Sequence, residues 1–80
     1  MAKKLSASAV ARYLEETAPW CFVQNQRAID RMLELAAMAK GGMSPSAIVA
    51  RLKDEAMSFK DERPRRVYRE AAADIASGRV

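Results

Sequence analysis

The sequence predicts an all-α fold of four short-to-medium helices, arranged as two helical hairpins packed into a small bundle. Three observations carry this. Apolar residues recur at i, i+3 and i+4 along four separate segments. Each segment is bounded by Ser, Asp, Pro or Gly where helices start and stop. The connections are short, which favours antiparallel neighbours.

Met1–Lys4 reads as a short basic tail that frays. Ser6 or Ser8 can cap a first helix carrying Val10, Tyr13 and Leu14 on one side. That helix should end near Thr17, because Pro19 disfavours the α conformation at Ala18 while suiting the first turn of a following helix.

The longest apolar-periodic run spans Pro19 to Lys40 and predicts a central helix against which the others pack. At about 100° per residue, Cys21, Phe22, Ala28, Ile29, Met32, Leu33, Leu35, Ala36 and Ala39 share one broad face. Arg27, Asp30, Arg31 and Glu34 gather opposite, and Trp20 and Met38 fall on that polar side near Arg27 and Arg31. The alternative is an extended Trp20–Gln24, with Asn25 capping a shorter helix, since WCFV has the aromatic and β-branched content of a strand. An unpaired five-residue strand has no partner in this chain, which favours the helix.

Gly41-Gly42 supplies a left-handed C-cap, and Ser44-Pro45 restarts the chain with a capping serine and a proline at the first helical position. The third helix places Ile48, Val49, Leu52, Ala56 and Phe59 inward, with Phe59 as its buried end. Asp61 or Glu62 begins the last connection. Pro64 fits a first turn, and Val67, Tyr68, Ala71, Ala72 and Ile75 form the inward stripe of a fourth helix stopped by Gly78. Arg79 and Val80 are expected to fray. Leu5–Val10 (LSASAV) echoes Met43–Ile48 (MSPSAI), a similarity that two helix N-termini needing the same cap also produce by chance.

With 80 residues, half of them apolar, the chain is expected to be one domain over residues 1–80 with a small core. The single Cys21 cannot form an internal disulfide, and the absence of histidine removes a Cys/His zinc site. Self-association, as a homodimer, is the remaining route to extra stability. One cysteine without a secretory segment suggests the cytoplasm, and no apolar run approaches a membrane span.

Catalysis has few candidates here. Without histidine, the commonest general base and the Ser-His and Cys-His dyads are missing. Glu15-Glu16, Asp54-Glu55 and Asp61-Glu62 are adjacent pairs that diverge on a helix, and Glu-x-x-His di-metal pairs cannot be made. Gly41-Gly42 lacks the phosphate-loop pattern. Cys21 lies between Trp20 and Phe22 and reads as a small buried hydrophobe, and Met32 and Met57 read as gap-filling core. A non-enzymatic protein without metal or cofactor is expected.

The net charge is +4, and the dense basic cluster is Arg63, Arg65, Arg66 and Arg69. Arg65, Arg66 and Arg69 project into one sector of about 100° outside the inward stripe. The macrodipole disfavours positive charge at a helix start, whereas a helix N-terminus with arginines suits phosphate. Asp61, Glu62 and Glu70 could instead neutralise the cluster locally.

Two functions follow. The first is a small regulatory protein that binds DNA, RNA or another anionic partner through these arginines, with Lys60 at the edge. The second is an interaction module, such as an adaptor or inhibitor of a bacterial or phage machine, docking through exposed Trp20 or Met38. Ser8–Leu14 and Ser46–Leu52 resemble the opening helix of a helix-turn-helix. Glu15-Glu16 and Lys53-Asp54 occupy the places where its turn should follow.

Overall fold

The structure, a computed structural model, describes residues 6–21 and 26–80. Helix α1 (Ala7–Thr17) leads into a 3-10 turn (Ala18–Cys21), followed by α2 (Gln26–Lys40), α3 (Pro45–Ser58) and α4 (Glu62–Ala76). The fold is all-α, with no strand among the described residues. α1 packs mainly on α2 and α3 mainly on α4, and α4 also touches the 3-10 turn and α1. These are the two hairpins of the expected bundle.

Local chemistry explains the boundaries. Ser6, not Ser8, caps α1, its hydroxyl accepting from the Ala9 N–H at 3.1 Å. Ser44 caps α3 in the same way through Ala47, at 3.2 Å. Both hydroxyls satisfy a first-turn N–H that has no partner within its helix. At the end of α2 the Met43 N–H reaches the Met38 carbonyl and the Gly42 N–H reaches that of Ala39, with Gly42 at φ 110°. This is a Schellman closure, and the left-handed residue is Gly42 alone of the glycine pair. Gly78 closes α4 by the same geometry, with φ 76°.

The central helix departs from expectation at its start. Instead of an α-helix from Pro19, Ala18–Cys21 form a 3-10 turn and the described part of α2 begins at Gln26. Proline has no N–H with which to continue the ladder of α1. Ala18 itself nevertheless stays in the α region (φ −50°, ψ −43°), because it is fully buried and its N–H reaches the Leu14 carbonyl. Trp20 and Cys21 are therefore neither α-helical nor extended. Tail residues Met1–Lys4, the Cys21 side chain, Phe22 and the proposed Asn25 cap lie outside the described residues.

The core is one cluster. Val10, Leu14, Met32, Ile48, Leu52, Tyr68 and Ile75 are essentially inaccessible, and Ala28, Ala36, Ala39, Ala71 and Ala72 let the helices approach closely. Phe59 caps the α3 end, 5.0 Å from the Tyr68 ring between centroids, with the Arg27 guanidinium 5.8 Å from its own centroid. Arg31 pairs with Glu55 between α2 and α3. That hydrogen bond and charge raise the Arg31 pKa further above its usual value.

Two residues assigned inward are exposed. Leu33 stands about 115° round α2 from the centre of its buried stripe, and Met57 about 140° round α3 from its own. Met57 is 78% exposed, so it fills no core gap. At the C-terminus, where fraying was expected, the Arg79 N–H bonds the Asp74 carbonyl at 3.0 Å and Val80 packs against the core.

Candidate functional site

Four of the five predicted basic residues lie on α4, and its register sorts them. Arg65, Arg66 and Arg69 share one outward sector and line a recess of about 280 Å³ together with Glu62 and Glu70. Arg63 turns to the opposite flank, where its Nε donates to the Trp20 carbonyl at 3.2 Å. Lys60 is exposed in the α3–α4 connection and lines neither this recess nor the groove beside it.

Local neutralisation of the arginines is incomplete. Arg66 approaches Glu62 at 3.7 Å, an exposed i,i+4 pair of the kind that contributes only about 0.3–0.5 kcal/mol. Arg65 and Arg69 form no ion pair among the described residues, and Glu70 forms none with the arginines that surround it. The Nε of Arg65 is buried without a hydrogen-bond partner among the described residues. Packing thus holds the root of this guanidinium while one of its donors stays unsatisfied. Asp61 occupies the N-cap position of α4 without a side-chain capping bond, and Glu62 is the acid of the first turn.

Trp20 is not on the polar side of the central helix near Arg27 and Arg31. It stands on the 3-10 turn, 65% exposed, in a groove of about 400 Å³ whose other walls include Thr17, Arg63, Arg66 and Glu70. The 3-10 geometry places it there, and no spacing in the sequence announces it. Met38 is only marginally exposed, on the α2 flank opposite Leu33, and does not line that groove. The structure therefore does not combine Trp20 and Met38 in this groove. It sets Trp20 beside the arginines.

Sequence reasoning missed the far end of the groove. The Tyr13 hydroxyl donates to Asp74 Oδ2 at 2.8 Å, and Asp74 also receives Arg79 at 3.7 Å. Burial pushes the Tyr13 pKa from 10.0 up to about 12, with the Asp74 bond and charge adding to it. Sixty-one residues separate the two, so no local signal could have joined them. The groove and the recess share Arg66 and Glu70, making one surface with four arginines against Glu62, Glu70 and Asp74.

Among the described residues no three carboxylates or cysteines converge on one point, and no helix is long and apolar enough to cross a membrane. No protein family, curated protein or solved structure matches the chain.

Proposed function

We propose that this is a small non-enzymatic binding protein that contacts nucleic-acid phosphates through Arg65, Arg66 and Arg69, with Arg63 and Lys60 at the edge. The observation that carries the reading is the single recess shared by Arg65, Arg66 and Arg69, in which two guanidinium groups have no carboxylate partner among the described residues. Clustered positive charge at a helix start is intrinsically unfavourable, and an incoming phosphate would relieve it. Arginine's planar fork matches phosphate oxygens two at a time. A regulatory role in the cytoplasm suits a one-cysteine chain, and a homodimer would double the arginine surface.

A second reading is a protein-docking module, favoured by the exposed Trp20. Replacing Arg65, Arg66 and Arg69 together by Glu discriminates between them. The phosphate reading requires the variant to keep its helical circular dichroism and lose binding to labelled DNA and RNA. Retained binding contradicts it.

A further inference from the structure

The Trp20 backbone is anchored while its ring is not covered. Its carbonyl accepts from Arg63, and Ala18 two residues earlier is fully buried, yet Trp20 as a whole remains 65% exposed. Trp20 thus offers exposed aromatic surface beside charged groups, from a backbone held by Arg63.

The walls of the groove restrict what can cover the ring. Thr17, Arg66, Glu70 and Asp74 line the groove together with Trp20 and bring a hydroxyl, a cation and two carboxylates to its walls, while Val67 contributes a nearly buried apolar edge. An apolar side chain from a protein partner would strip water from these polar groups without replacing their hydrogen bonds. A nucleobase stacks one face on the indole and presents its own donors and acceptors at the rim. Glu70 can accept from an exocyclic amine, and Arg66, common to groove and recess, can hold the adjoining phosphate.

We infer that the Trp20 groove takes one unpaired base, so that the ligand of this surface is single-stranded nucleic acid. The inference rests on the phosphate reading of α4 and adds the strandedness of the ligand. In a duplex the base faces are stacked internally and cannot reach the indole without extrusion.

Trp20 is the sole tryptophan, so its fluorescence reports this groove alone. The probes are a mixed-sequence single strand of about twelve nucleotides, as DNA and as RNA; the matching duplex; an abasic strand of equal length; and poly-glutamate. The single strand is expected to quench Trp20 and bind about tenfold or more tightly than the abasic strand. Trp20→Ala should abolish that advantage without altering helicity or melting temperature, and Trp20→Phe should restore most of it.

Equal affinity for duplex and single strand, without quenching and without response to Trp20→Ala, overturns the inference and leaves the phosphate reading standing. No binding to any nucleic acid at low salt overturns both. Poly-glutamate binding as tightly as the single strand, without quenching, overturns the inference in favour of an acidic protein surface.

Discussion

The Tyr68 hydroxyl on α4 donates to the Ala28 carbonyl in the first turn of α2 at 2.6 Å, joining the two hairpins through a fully buried bond. The same ring packs on Phe59, so one side chain gathers α2, α4 and the end of α3. Tyr68→Phe keeps the ring and removes the bond. It should lower stability by about 1 kcal/mol, seen as a melting-temperature drop of about 4–8 °C for a domain of this size. An unchanged melting temperature would mean that the bond contributes nothing net.

The two glycines after α2 should respond differently to alanine. Gly42 lies at φ 110°, so Gly42→Ala should cost about 1 kcal/mol although nothing stands within 4 Å of the added methyl. At Gly41 the methyl would meet the Ala37 and Met38 carbonyl oxygens at ordinary contact distance, 3.5 Å, without a left-handed backbone. Gly41→Ala should be neutral or slightly stabilising. Chemical denaturation of both variants checks the contrast.

Tyr13 makes the stability pH-dependent in the alkaline range. Its folded pKa is about 12 against an ordinary 10.0, so the folded state holds the proton more tightly than the unfolded chain. This contribution is complete below pH 10.0 and is lost as the pH rises through about 12. Tyr13→Phe removes the titrating hydroxyl and is the control. The stability difference between wild type and Tyr13→Phe should shrink from pH 9 to pH 12 in thermal melts. A constant difference would contradict the assignment.

What was legible in the sequence is what local chemistry decides. Ser6, Ser44-Pro45, Gly42 and Gly78 mark their boundaries through bonds to residues at most five positions away, and the Val67–Ile75 stripe follows from helical period alone. The recess of Arg65, Arg66 and Arg69 was legible for the same reason, since one helix carries all three. The Trp20 groove was not, because Thr17 and Tyr13 meet α4 only in the folded chain and the 3-10 turn re-aims the indole. Met57 was misplaced because residue type suggested burial where angle on the helix decides it, and Leu33 because the inward face of the central helix was drawn wider than the buried stripe.

The central claim, that the α4 arginines bind phosphates, is tested most directly by the salt dependence of single-strand affinity. Each phosphate neutralised contributes about −0.7 to the slope of log K against log salt for a single strand. Three arginine contacts therefore predict a slope near −2, which Arg69→Ala should reduce in size by about 0.7, with helicity retained. A wild-type slope near zero, or a slope that Arg69→Ala leaves unchanged, would contradict the account.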